Sequence, residues 1–228
     1  MLSFALLFKA VLDVFHFCCP LQLPLYYASD IRPVPKAIAT QFAHAGAKIV
    51  IISGRSSAPL EETKSIIETA APGCTVLPVS VDVVDKSSVQ SLFDNLPNTP
   101  DVLVNNAGVS LSQNTIVDSN INVWWSDWET NIKGLYLCTR AYLRALAENP
   151  GVILNVSSSV ADMVSPNISS YGTSKLAVNR STEFVHLEHA NQDVRCIAFH
   201  PGGIAETGMG QKAPEQFSAL ASTTPVII

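Results

Sequence analysis

From residue 36 onward the chain alternates short β-branched runs with longer helical stretches, and no other feature restricts the possible folds as much. Lys48–Ser53 (KIVIIS) is an apolar run without polar alternation, the pattern of a strand covered by helices on both faces of a parallel sheet. The same reading predicts strands at Thr75–Val81, Asp101–Asn105, Gly151–Ser157 and Val194–Phe199. Helices are predicted at Lys36–Ala45, Leu60–Ala70, Ser87–Asn95, Val123–Ala147 and Tyr171–Ala190, the first of them stopped by Gly46 in the position where helices commonly end. Crossovers between parallel strands are almost always right-handed, so this order predicts an α/β fold, a doubly wound parallel sheet. Ligands of such sheets bind beyond the carboxyl ends of the strands. The chain has 228 residues, enough for one large domain with a substantial core.

Composition excludes several function classes. Hydrophobic residues make up 47% and charged residues 14%, which argues for a folded chain. The formal charge is −5 and no run of Lys and Arg occurs, so there is no electrostatic footprint for nucleic acid or an anionic membrane. A small-molecule ligand is expected instead. The five cysteines, Cys18, Cys19, Cys74, Cys138 and Cys196, are scattered and lack CxxC spacing, so they read as reduced thiols rather than disulfides or a zinc site. The first 19 residues are apolar but interrupted by Lys9, Asp13 and His16, short of the ~20 apolar residues of a membrane span, and they lack the layout of a signal peptide. A cytoplasmic protein is the expectation. His186 and His189, three apart and without a third ligand nearby, read as a polar helix face and not a metal site. No HExxH, nucleophile elbow or GxxxxGK[ST] is present, which leaves metalloprotease, hydrolase and P-loop readings without support.

The chemistry-bearing residues gather after the predicted strands. Tyr171-Gly-Thr-Ser-Lys175 opens a helix, and its i,i+4 spacing puts phenol and ammonium on one face. A cation beside a phenol favours the phenolate and lowers its pKa, making tyrosine a usable proton donor or acceptor at neutral pH. Alone, such a pair is an ordinary surface motif. Ser158 lies 13 residues before Tyr171 at the end of a predicted strand, where its hydroxyl can hold a substrate carbonyl. Asn131 lies in WETNIKGLY, and Asn105-Asn106-Ala107-Gly108 follows the strand DVLV. Without further context the former would be a helix-interior amide bonded to backbone and the latter a turn. Asp82 closes TVLPVSV, and His200-Pro201-Gly202-Gly203-Ile204 follows VRCIAF.

Together these motifs resemble the short-chain dehydrogenase/reductase family, over Lys36 to Gly203. The resemblance implies a single-domain Rossmann-type fold and a tetrad of Asn131, Ser158, Tyr171 and Lys175. In it Tyr171 is the acid/base, Lys175 lowers its pKa and anchors the ribose, Ser158 polarises the carbonyl, and Asn131 holds a water in a proton relay. Ser157 and Ser159 are read as turn residues. The resemblance further implies a cofactor site of Asp82 at the adenine amino group, Asn105, Ala107 and Gly108 at its floor, Tyr171 and Lys175, and Pro201, Gly202 and Ile204 beside the nicotinamide, with Thr207 as a further contact. At the end of the second strand stands Arg55, which suits the 2′-phosphate of NADP(H) where an acidic residue would suit NAD(H). The implied partners are an alcohol or ketone substrate and, through the long helices, further copies in a homodimer or homotetramer.

Two departures qualify the resemblance. Counting back from AIATQFAHAGAK, the glycine-rich phosphate turn of the family falls on Ala28–Pro35, where Ser29, Pro33 and Pro35 stand in place of glycines beside Asp30. Proline lacks the amide donor, and a carboxylate repels phosphate. LQLPLYY is the candidate first strand, weakened by Pro24, and the stretch after Gly203 is short for a substrate lid and last strand. The expected organisation is an atypical segment over residues 1–27 and a Rossmann-type domain over 28–228, truncated at its C-terminal end, with an irregular first strand and no last strand. Three functions stand open: an NADP(H)-dependent oxidoreductase interconverting a secondary alcohol and a ketone, a cofactor-independent isomerase or dehydratase derived from the same site, and an inactive scaffold.

Overall fold

The computed structural model describes residues 25–29, 33–201 and 226–227. The elements are β1 (Leu25–Ser29), α1 (Pro33–His44), β2 (Ile49–Gly54), α2 (Ser57–Ala70), β3 (Thr75–Ser80), α3 (Lys86–Asp94), β4 (Val102–Asn105), α4 (Ile121–Trp128), α5 (Leu135–Leu146), β5 (Gly151–Val156), α6 (Ser169–Glu188), β6 (Val194–His200) and β7 (Val226–Ile227). The sheet runs β3-β2-β1-β4-β5-β6-β7. It is parallel throughout except for β7, which pairs antiparallel with β6. The predicted doubly wound sheet is therefore present.

Successive strand residues serve opposite faces, as the pleat requires. Val50, Ile52, Val102, Val104, Leu154 and Val156 pack beneath α1 and α2. Their neighbours Ile51, Leu103 and Ile153 pack against α3 and α5. This double burial is why the strands read as unbroken apolar runs. Between the strands and the helices on the second side runs a chain of buried polar side chains. Asn105 donates through Nδ2 to Thr139 Oγ1 (3.0 Å) and Asn155 Oδ1 (2.9 Å), and Asn155 donates to Thr182 Oγ1 (2.9 Å) and Cys196 Sγ (3.4 Å). Such a network ties β4, β5, α5 and α6 into one register. Burial pushes the Cys196 thiol up to about 12, leaving it an inert core group.

Local signals set the helix ends. Gly46 adopts φ +97°, Gly46 N–H donates to Ala43 O, and Ala47 N–H reaches back to Phe42 O, so the glycine ends α1 in a Schellman turn. Asp85 caps α3 by accepting from the Ser87 hydroxyl and Ser87 N–H, and those bonds, the hydroxyl's first, lower its pKa. Asn120 caps α4 through Asn122 N–H and Val123 N–H.

The structure corrects three expectations. The single helix expected over Val123–Ala147 is two helices, α4 and α5, joined by a π-helical turn at Glu129–Gly134; hydrophobic spacing cannot register the extra residue of such a turn. The first strand is regular, because Pro24 precedes it and removes no ladder bond from Leu25–Ser29. A last strand exists, the two-residue β7. The expectations for Cys18, Cys19 and the first 19 residues lie outside the described residues. Among the described residues no helix is long and apolar enough to cross a membrane.

β6 ends in His200, which is 8% exposed and whose ring nitrogens have no partner among the described residues. Burial lowers its pKa below the ordinary 6.5. The unfolded chain then takes up a proton at a pH where the native one does not, so stability is complete above about pH 6.5 and declines as pH falls toward the lower native value. Urea unfolding between about pH 5 and 7 should show this decline, and His200→Leu should flatten it. An unchanged slope in the variant would assign the pH dependence to other groups.

Candidate active site

The carboxyl ends of β2 to β6 all open on one edge of the sheet, and the strand order reverses between β1 and β4, the place where doubly wound sheets form their ligand crevice. β4 runs into Asn105–Gly108, β5 into Ser157 and Ser158, and β6 into Pro201. α6 begins at Ser169 and carries Tyr171 and Lys175 on successive turns.

Lys175 is 4% exposed. Its Nζ donates to Val156 O at 2.7 Å, the last residue of β5, and lies 5.7 Å from the centroid of the Tyr171 ring. The half-buried phenol and the buried ammonium thus share one face of α6, as their spacing predicts. A Cβ built on Gly108 would stand 3.3 Å from Lys175 Nζ and 3.4 Å from Asn131 Oδ1. Three separate sequence motifs therefore converge on one point, and glycine at 108 lets them close. Ser158 is half-buried with extended backbone (φ −155°) and caps the short 3₁₀ turn Ser159–Ala161, its Oγ accepting weakly from Val160 N–H (3.4 Å). That turn lies against α6 beside Tyr171, since a Cβ on Gly172 would stand 3.4 Å from Val160 O.

The Asn131 amide is fully employed. Oδ1 accepts from Val109 N–H (2.8 Å), and Nδ2 donates to Val109 O and Ser174 Oγ (both 2.9 Å). The side chain clamps the loop after β4 to α6, so any relay through this residue must use its main chain. Asn105 spends both amide hydrogens on Thr139 of α5 and Asn155 of β5, and what it gives the site is a rigid β4 end. Ser157, read from sequence as a turn residue, is 2% exposed and donates to Asn179 Oδ1 (2.5 Å); it rivets β5 to α6.

A second cavity, of about 290 Å³, brings together Arg55, Asp82 and Ala107 from the ends of β2, β3 and β4. Asp82 is exposed, with Oδ1 held by Val84 N–H (3.1 Å). A carboxylate and a guanidinium at the two sides of one cleft suit the adenine amino group and a ribose phosphate respectively. The expected phosphate turn is placed differently from the count. Ala28 and Ser29 close β1, residues 30–32 lie outside the described ones, and Pro33 and Pro35 occupy the first and third positions of α1. Proline is favoured at the first position of a helix. Yet a helix start binds phosphate through its free N–H groups, and here Val34 alone of the first three helical residues has one. The Arg55–Asp82 cleft offers groups suited to an adenosine end, while the first turn of α1 is a poor match for a diphosphate. Pro201 is half-buried at the end of β6, while Gly202, Ile204 and Thr207 lie outside the described residues.

Sequence reasoning missed Asp127, Ser170 and Ser174, each 0% exposed. Asp127 accepts from Leu111 N–H (2.8 Å), Ser112 N–H (3.3 Å) and Ser170 Oγ. The signal was available: 127 and 131, in the stretch expected to be one helix, and 170 and 174 in α6 are both i,i+4 pairs of small polar residues, a spacing that predicts a shared helix face. Alongside them Trp124 stacks on Trp128 (5.9 Å between ring centroids), touches Trp125 edge-on (5.1 Å), and donates through Nε1 to Ser169 Oγ (3.0 Å).

Comparison with known proteins gives the same frame. The family model described as short chain dehydrogenase matches residues 33–217. The short chain dehydrogenase mpl6 of Monascus purpureus is 34% identical over 202 residues, covering 85% of this chain and 68% of the relative. The NADP-dependent 3-hydroxy acid dehydrogenase of Schizosaccharomyces pombe is 29% identical over 204 residues, covering 84% and 78%. Among solved structures, the 3-ketoacyl-(acyl-carrier-protein) reductase of Brucella melitensis complexed with NADH superposes with a TM-score of 0.69 at 26% identity, covering 77% of this chain and 73% of that one. With its sheet order, its convergent Tyr171–Lys175 pair and a family match across most of its length, the chain belongs to the short-chain dehydrogenase/reductase family of oxidoreductases, which act on CH–OH and C=O groups with NAD(P).

Proposed function

We propose that this chain is an NADP(H)-dependent oxidoreductase that interconverts a secondary alcohol and a ketone, with Tyr171 as its acid/base. The observation that carries the reading is the meeting of Lys175 Nζ and Asn131 Oδ1 at Gly108, with the Tyr171 ring centroid 5.7 Å from that Nζ. NADP(H), when bound, supplies or accepts the hydride at the carbonyl carbon. In the reducing direction the substrate oxygen gathers negative charge, and the Tyr171 hydroxyl gives it a proton. The Lys175 ammonium stabilises the phenolate left behind. Ser158 Oγ donates to the same substrate oxygen and orients the carbonyl. Asn131 keeps the loop after β4 and the turn bearing Ser174 at fixed separation from the phenol. The Arg55 guanidinium holds the ribose 2′-phosphate, and Asp82, across the same cavity, accepts from the adenine amino group.

A second reading, proton transfer without a dinucleotide, is favoured by the prolines that open α1. Thermal-shift titration separates the two, because a ligand that binds the native state alone raises its apparent stability. NADPH should raise the melting temperature and NADH should do so less. Absence of a shift with both nucleotides would turn the assignment to the second reading. In Arg55→Ala the NADPH affinity should drop about 10-fold or more, the loss of a charge-assisted contact, with NADH affinity unchanged. Equal losses for both would remove Arg55 from the 2′-phosphate. Tyr171→Phe should lower NADPH consumption across a panel of ketones by at least ~100-fold while leaving the NADPH thermal shift in place. Retained turnover would exclude Tyr171 as the proton donor.

We further propose self-association through α5 and α6. Tyr136, Phe184 and Leu187 are 59%, 56% and 75% exposed on these helices, beside a groove of about 730 Å³ floored by Leu143 and Val185. A second copy would bury this apolar face. Sedimentation equilibrium should show a dimer or tetramer for the wild type and a monomer for Phe184→Glu; a monomeric wild type would refute the proposal.

A further inference from the structure

The Tyr171 ring lies with its centroid 5.7 Å from Lys175 Nζ. The helix start that carries it is held by two hydrogen-bonded rungs that join α4 and its π turn to α6. The lower rung is Asn131 to Ser174 and the upper is Ser170 to Asp127. Tyr171 follows Ser170 directly, so the upper rung grips the turn that carries the phenol.

The upper rung is chemically unusual because it contains a carboxylate with no solvent exposure. A buried charge persists only where hydrogen bonds replace its water, and Asp127 has three donors: Leu111 N–H, Ser112 N–H and Ser170 Oγ. Two come from the loop after β4 that forms one wall of the cleft. The third comes from the first turn of α6, whose N-cap residue, Ile168, makes no side-chain capping bond. A helix start carries partial positive charge and unpaired N–H groups, and favours a nearby anion. Asp127, borne by another helix, provides that anion.

We propose that Asp127 and Ser170 are a positioning pair for Tyr171: the carboxylate locks the first turn of α6 to the cleft wall, and so fixes where the phenol stands relative to Lys175. The pair touches neither substrate nor cofactor. The inference gives a role to a residue outside the tetrad, and rests on Tyr171 as acid/base only for its functional meaning. Its test reads ring position, not turnover, so it can fail or succeed independently of the assigned reaction.

The protein labelled with ¹³C at tyrosine Cζ should give five ring resonances, one for each tyrosine, with that of Tyr171 identified by its disappearance in Tyr171→Phe. In Ser170→Ala, which leaves Asp127 its two backbone donors and so preserves the fold, the Tyr171 resonance should move by more than its linewidth toward the position of an exposed tyrosine. Asp127→Asn should move it the same way, since an amide in place of the carboxylate sets an N–H against a backbone donor. Ser169→Ala, which breaks the neighbouring bond from Trp124 Nε1, should leave it in place. A Tyr171 resonance unmoved in both Ser170→Ala and Asp127→Asn, with only the melting temperature lowered, would overturn the proposal and make Asp127 a purely structural residue. Movement of equal size in Ser169→Ala would overturn it too, by showing that any loosening of this helix start displaces the ring.

Discussion

A lysine ammonium sealed from water needs a strong acceptor, and in this chain the whole site is arranged around the one that Lys175 finds. The carbonyl of Val156 ends β5 and points out of the ladder, where it accepts from Nζ. Because the charge is buried, its position is not negotiable: α6 must cross the end of β5 at the height that satisfies it. That fixes the phenol one turn earlier on α6 and leaves only a tight fit, 3.3 Å from Nζ, for a Cβ at Gly108. The polar chain Thr139–Asn105–Asn155–Thr182 keeps β4, β5 and the helices above them in register so that the condition is met.

The same economy explains the polar interior of the helical layer. Helices packed on a sheet ordinarily meet through apolar side chains, and much of α5 does so. Where α4 and its π turn meet α6, however, hydrogen bonds join Asp127 to Ser170, Asn131 to Ser174 and Trp124 to Ser169. A hydrogen-bonded contact tolerates far less sliding than an apolar one, since a displaced partner leaves a buried group unsatisfied. Directional bonding therefore sits at the helix start that carries Tyr171.

The layering of the sheet was legible in sequence because double burial writes itself as unbroken apolar runs such as KIVIIS. Gly46 announced the end of α1 because only glycine takes a positive φ without strain. The Tyr171–Lys175 face followed from helical spacing, while Ser158 and Asn131 were reached through family resemblance. What stayed hidden depends on tertiary partners. That Ser157 is a rivet and Ser158 a cap of the following turn is decided by Asn179 and Val160, and nothing in the triplet of serines marks it. The π turn, the commitment of the Asn131 amide to Val109, and the burial of Asp127 are likewise properties of how elements meet. The position of Pro33 and Pro35 inside α1 was misjudged because counting back from a helix assumes a loop of fixed length.

All three tryptophans of the chain fall within a single turn-and-a-half of α4, stacked on one another and bonded to the start of α6. Their emission consequently samples this corner of the molecule and none of the sheet. A denaturation curve followed by tryptophan fluorescence would report when α4 parts from α6, whereas far-ultraviolet dichroism would report the loss of helices and strands as a whole. If the fluorescence curve precedes the other, the end of the protein that carries the candidate site comes apart as its own cooperative unit before the parallel core that supports it.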